Sequence, residues 1–271
     1  DITPDADQIL LMAENAHKIC QEGLENNDVY LLKQAAGLYQ QLENTNKQQY
    51  CLAEVMFIEE NYQQAGLLFE ATKYIERAVL CYWRAQLWSN IYDLILKQLW
   101  SPSSPQEKLF ADAIKILLSS NNTASDYASL MYRLVNQEEF LSTHPDDKTA
   151  WQQIVEQLLS LLPLDSSNKK WRALYLHLNV LNQTPYFKEL IHPSILAEVA
   201  YLAKNMQDAC NWWDKAQEQY KITPPFPRYA ESVAVSRTFP DNLEALAVLH
   251  RHDEMCQQFN EFSALNELAT T

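Results

Sequence analysis

The sequence predicts an all-α chain, an α-solenoid of stacked antiparallel helical hairpins with about fifteen helices. Three observations predict it. Apolar residues recur at three- and four-residue spacing through most of the 271 residues. Clusters of Asn, Ser, Pro and Asp interrupt that period every ~10–20 residues, combining cap formers with helix breakers. Alternating β-branched runs are nearly absent, the closest being Ser232-Val233-Ala234-Val235, which is too short to found a sheet.

Taken in order, Ile9, Leu10, Met12, Ala13, Ala16 and Ile19 mark a first helix that ends at Asn26-Asn27-Asp28. Leu31, Leu32, Ala35, Leu38, Tyr39 and Leu42 mark a second that ends at Asn44-Thr45-Asn46. Two more helices follow around Ala53 and Ala65, and Lys73-Tyr74 is the turn into the next. The Ser/Pro stretch 101–105 is a bend or sub-domain seam. Later breaks fall at 119–122, 143–147, 163–168, Thr184-Pro185, His192-Pro193, 223–227 and Pro240-Asp241. This spacing divides the chain into N-terminal repeats (1–100), connecting helices (101–147) and C-terminal repeats (148–271). The chain opens at Asp1, which suggests excision from something longer.

An internal repeat is the most specific signal. Leu52-Ala53-Glu54-Val55 is followed by Asn61, Gln63, Ala65 and Phe69, and Leu196-Ala197-Glu198-Val199 by Asn205, Gln207, Ala209 and Trp213, at identical spacing. The four alanines are expected at close helix crossings, with Phe69 and Trp213 filling the gap to the next hairpin. With Tyr62 at the turn and Thr72 closing the unit, these residues resemble the tetratricopeptide repeat. The turn glycine of that family is absent, with Glu60 and Lys204 near its place, and its closing proline is Arg77 or Lys221. A second regularity steps Tyr62, Ala65, Phe69 and Thr72 by 13 onto Ile75, Ala78, Tyr82 and Ala85. That compressed run is loosely similar to the helical regions that follow β-propellers in coat and intraflagellar-transport scaffolds.

Composition excludes several classes of function. Three glycines, none clustered, leave no loop to cradle a phosphate. A net charge of −14 disfavours a nucleic-acid backbone, and the acids concentrate in the first thirty and last thirty-one residues, as solvated solenoid caps require. Five widely spaced cysteines read as reduced core thiols in a cytoplasmic protein rather than a disulfide framework or zinc ribbon. No apolar run approaches the ~18 residues of a membrane span.

His250-x-His252-Asp253-Glu254-x-Cys256 is the densest set of ligand-type side chains, and His17-x-x-Cys20 a smaller one. Each lacks the third and fourth ligands of a metal site, and an exposed polar helix and a core thiol explain them. Adjacent carboxylates such as Glu59-Glu60, Glu138-Glu139 and Asp146-Asp147 diverge by about 100° on a helix and make poor acid/base dyads. No catalytic residue, metal or cofactor is assigned. Of the adjacent aromatics, Tyr82 and Trp213 are placed inside, leaving Trp83 and Trp212 as exposed contact candidates.

The resemblance to tetratricopeptide repeats implies an inner, partner-binding face at Lys47, Tyr50, Glu54, Phe57 and Ile58 in the first copy and at Ser194, Glu198, Tyr201 and Leu202 in the second. The expected function is an interaction scaffold or adaptor region for another protein or peptide, a basic or aromatic-bearing one, without activity of its own. Self-association stays open. Two alternatives remain, an all-α enzyme with a site near His250 to Cys256 and a regulatory or sensor region of a multidomain effector.

Overall fold

In the computed structural model the described residues are 6–137, 141, 147–162, 164, 170–188 and 190–269. They form fifteen α-helices and no strand. The chain divides into two compact units, 1–114 and 115–271. Unit 1 holds α1 (Ala6–Glu25), α2 (Val29–Gln41), α3 (Thr45–Ile58), α4 (Tyr62–Ala71), α5 (Ile75–Arg84), α6 (Trp88–Leu96) and most of α7 (Pro105–Leu118). Unit 2 holds α8 (Ala124–Asn136), α9 (Lys148–Ser160), α10 (Trp171–Leu181), α11 (Pro193–Leu202), α12 (Met206–Tyr220), α13 (Arg228–Ser236), α14 (Leu243–Val248) and α15 (His252–Ala269). From α1 to α6, and again from α11 to α15, each helix packs mainly on its sequence neighbours, the serial arrangement of a helical repeat, whereas α10 packs mainly on α8. The expected break at 143–146 and most of that at 163–168 lie outside the described residues, as do Glu138, Glu139, Asp146 and Asp1.

Local chemistry sets the helix starts. Asp28 accepts the Tyr30 and Leu31 amides at 2.8 and 3.1 Å, and Asn44 that of Lys47 at 3.1 Å. The Ser/Pro stretch ends in a reciprocal cap. The Glu107 amide donates to Ser104 Oγ (3.1 Å), and Glu107 Oε2 accepts the Ser103 and Ser104 amides at 2.7 and 3.0 Å. Pro105 follows at the first helical position, where its missing N–H costs nothing. The four N–H and O–H donors from Ser103 and Ser104 hold the Glu107 carboxyl below its ordinary range against the opposing effect of burial.

Between helices the chain reverses through a recurring three-residue turn. The middle residue is left-handed and the next one donates its amide to a carbonyl five residues back: Asn44 to Tyr39 (2.9 Å), Asn61 to Met56 (2.8 Å), Tyr74 to Phe69 (2.8 Å), Leu87 to Tyr82 (2.8 Å) and Asn205 to Ala200 (2.9 Å). The left-handed residues at these turns are Glu43, Glu60, Lys73, Gln86 and Lys204, with φ between 55° and 68°. Glu60 and Lys204 therefore occupy the conformation of the absent turn glycine. No glycine of the chain has positive φ.

Two of the glycines lie where helices approach closely. A Cβ at Gly66 would lie 2.6 Å from the ring of Tyr82 and 3.2 Å from Cys81, so α4 and α5 pack closer than alanine allows. Ala53, Ala65, Ala197 and Ala209 are each fully buried, on the contacting pairs α3–α4 and α11–α12. Phe69 and Trp213 are buried as expected.

Two substitutions with opposite signs follow. Lys204→Gly relieves a left-handed side chain and should raise stability by about 0.5–1 kcal/mol after the entropy of the unfolded glycine is charged against it. Gly66→Ala should lower stability by roughly 1–3 kcal/mol through overpacking against Tyr82. Urea-unfolding midpoints of the two variants should move in opposite directions.

Candidate functional site

Glutamate in the middle of an apolar helix face is costly unless its charge is met. Both copies of the repeat meet it with an arginine from two helices further on. In unit 1 Glu54, 4 % exposed, accepts from Arg77 Nε at 3.0 Å and from Arg77 Nη2, a two-pronged pairing between α3 and α5. The same guanidinium lies 4.1 Å from the ring centroid of Phe57 and 5.3 Å from that of Phe69. In unit 2 Arg228 Nη1 donates to Glu198, linking α13 to α11, and its guanidinium lies 5.4 Å from the ring of Tyr201. Glu54 with Phe57 corresponds to Glu198 with Tyr201 at the repeat spacing. Their arginines do not correspond: Arg77 would map to Lys221, and Arg228 opens α13, beyond the longer α12 and its following loop.

The expected inner face is thus largely occupied by the protein's own contacts. Lys47 is exposed, its ammonium 5.6 Å from the ring of Tyr39. Tyr50, Phe57 and Ile58 are half-buried. Tyr50 packs on Phe69 and Tyr74 at ring separations of 5.8 and 4.2 Å, and Phe57 on Tyr62 at 5.5 Å. Burial, followed by the neighbouring Glu54 carboxylate, pushes the Tyr50 phenol well above its ordinary range. In the second copy Leu202 is buried, and Ser194 Oγ lies 2.6 Å from His192 Nδ1. The Tyr201 hydroxyl donates to Glu231, and that bond, followed by burial, pushes its pKa up to about 12.

One expectation of exposure is corrected, at Trp83, and Trp212 is of intermediate exposure. Trp83 is 4 % exposed, with ring centroids 5.2 Å from Trp88 and 4.9 Å from Phe110. Short helices reversed by three-residue turns cover α5 on two sides, so Tyr82 meets Gly66 while Trp83 meets the following helices, and both adjacent aromatics are buried. Trp212 is half-buried, its indole N–H donating to the Tyr175 hydroxyl at 3.2 Å, and Tyr175 donates in turn to Asp208 at 2.6 Å.

The His250 to Cys256 cluster is dispersed by a helix start. His250 is left-handed in the turn before α15, Arg251 pairs with Glu254, and Cys256 is exposed. No group of three His, Cys, Asp or Glu side chains among the described residues converges in metal-binding geometry. No helix among them is long and apolar enough to cross a membrane.

The least satisfied surface is on α15, which has no buried residue along its 18 positions. Phe259, Phe262, Leu265 and Leu268 are exposed there. Phe239, in the turn before α14, meets Phe259 and Phe262 edge-on or tilted at 5.8 and 5.3 Å. Phe239 and Phe262, with Val235, Gln258 and Leu265, line a groove of about 540 Å³ that Glu254 and Glu261 also border. The groove's basic residue, Arg237, pairs with Asp214, and no lysine occurs from 222 onward. The groove has no distinct sequence signature, because the apolar stripe of α15 carries the same period as a buried helix.

No family model, curated protein or solved structure matches this chain.

The duplicated ion pair makes a measurable claim. Removing Arg77 leaves a buried carboxylate, so Arg77→Met should cost about 3 kcal/mol. The double variant Glu54→Gln, Arg77→Met should be clearly less unstable than the single one. A double-mutant cycle read by chemical unfolding gives the coupling.

Proposed function

We propose that the chain is an interaction scaffold of tetratricopeptide-like helical hairpins without catalytic activity of its own. In this reading its contact site is the α15 groove rather than the inner faces around Phe57 and Tyr201, whose charged groups are engaged within the fold. The observation that carries the reading is the exposed apolar stripe of α15 beside Phe239. An exposed apolar stripe of this kind calls for a cover.

Charge complementarity defines the occupant. Glu261 is an exposed carboxylate lining the groove, while Glu254 is already paired with Arg251 and Arg237 with Asp214. The partner is therefore an amphipathic helix with a basic margin, laying two or three turns along Phe262 and Leu265.

A labelled amphipathic Leu/Lys peptide of about 18 residues tests the proposal against its Leu/Glu counterpart by fluorescence anisotropy. The Leu/Lys peptide should bind and the Leu/Glu peptide should not. Phe262→Ala with Glu261→Lys should weaken binding by about 10-fold or more, whereas Glu14→Lys on α1, the same change of charge elsewhere, should leave it nearly unchanged. Equal effects of the two charge reversals would reduce the interaction to net charge and overturn the groove; no binding of the Leu/Lys peptide would do so as well.

A further inference from the structure

Independently of partner binding, the fold builds a thiol pair. Cys20 on α1 and Cys51 on α3 are separated by 31 residues, yet their sulfurs stand 3.4 Å apart, each within hydrogen-bond reach of the other. Both belong to the buried cluster that includes Leu32, Tyr39 and Val55. Cys81 and Cys210 are buried singly, and Cys256 is exposed.

We propose that Cys20 and Cys51 are a reversible oxidation site, converted to an intramolecular disulfide by a peroxide-class oxidant. The sulfurs have to close from 3.4 Å to about 2.05 Å, a movement of ~1.4 Å shared between two side chains. The environment divides the roles. The hydrogen bond from Cys51, assisted by the Lys47 ammonium, lowers the Cys20 pKa against the effects of burial and of Glu54, while the same bond and burial push Cys51 up. Cys20 is the thiol that ionises first, and it retains 6 % exposure where Cys51 has none.

The chemistry balances with hydrogen peroxide as the two-electron acceptor. The Cys20 thiolate attacks one peroxide oxygen, the O–O bond breaks, and the departing hydroxide takes a proton to become water, leaving Cys20 as a sulfenic acid. The Cys51 sulfur then attacks the Cys20 sulfur and the S–O bond breaks. The hydroxyl leaves with the Cys51 proton as a second water. Two thiols and one peroxide become a disulfide and two waters, and α1 is tied covalently to α3 one helical turn from Glu54.

The test uses the whole chain, reduced, freed of reductant, treated with one equivalent of hydrogen peroxide, quenched by alkylation in acid denaturant and mapped by mass spectrometry without reduction. The expected result is a Cys20–Cys51 cross-linked peptide lacking two hydrogens, with Cys81 and Cys210 alkylated and the link lost on reduction. In Cys51→Ser, which keeps a hydrogen-bond donor beside Cys20 but cannot form a disulfide, Cys20 should stop at the sulfenic acid and be captured by dimedone. Alkylation of Cys20 and Cys51 while Cys256 is oxidised, or a Cys20 link to any other cysteine, overturns the assignment.

Discussion

The three-residue reversal with a left-handed middle residue is the constraint on which the described helices of this protein depend. It sets the next helix against the last with almost no connecting chain, so helices of ten residues, too short to stand alone, acquire a packed face at once. Side chains with a Cβ occupy this conformation throughout, at Glu43, Glu60, Lys73, Gln86 and Lys204 among others. That strain persists because each turn is over-determined by its backbone hydrogen bonds and by the burial on either side. The glycines serve the opposite purpose: Gly23 and Gly66 lie inside helices and let neighbouring helices approach within the space a methyl group would need.

Against this frame, the repeated glutamate acquires a structural role. A carboxylate among Cys51, Ala53 and Val55 selects one register, because only the correct placement of α5 brings Arg77 into reach while the guanidinium stacks on Phe57 and Phe69. Lysine could not do both, lacking the planar fork. The desolvation of both charges offsets much of their attraction, so the intact pair adds little net stability even though breaking it is costly.

Helical class, turn positions and the alanine crossings were legible in the sequence because period and capping are local properties. The burial of Tyr82 and Trp213 was legible too, from spacing. Trp83 was not, since the rule that one of two adjacent aromatics faces water assumes a helix covered on one side, and α5 is covered on two. The partner of Glu54 was hidden because Arg77 stands where the resembling family has its closing proline, and its counterpart Arg228 falls outside the 144-residue spacing. The thiol pair was hidden for a related reason: Cys20 and Cys51 have different local patterns and meet only because α2 returns the chain by nearly its own length. The α15 groove had a sequence signature indistinguishable from that of a buried helix.

The Glu–Arg pair also bears on how the structure comes apart. Where helices touch mainly their sequence neighbours, unfolding can proceed one helix at a time, each step sensing only the adjacent one. A bond from α3 to α5, or from α11 to α13, adds a next-nearest-neighbour link, so the helix between them cannot open alone without breaking an ion pair, at Glu54 a buried one. Each copy of the repeat thereby gathers three helices into one cooperative block, and the boundaries of that block are set by the reach of a single guanidinium.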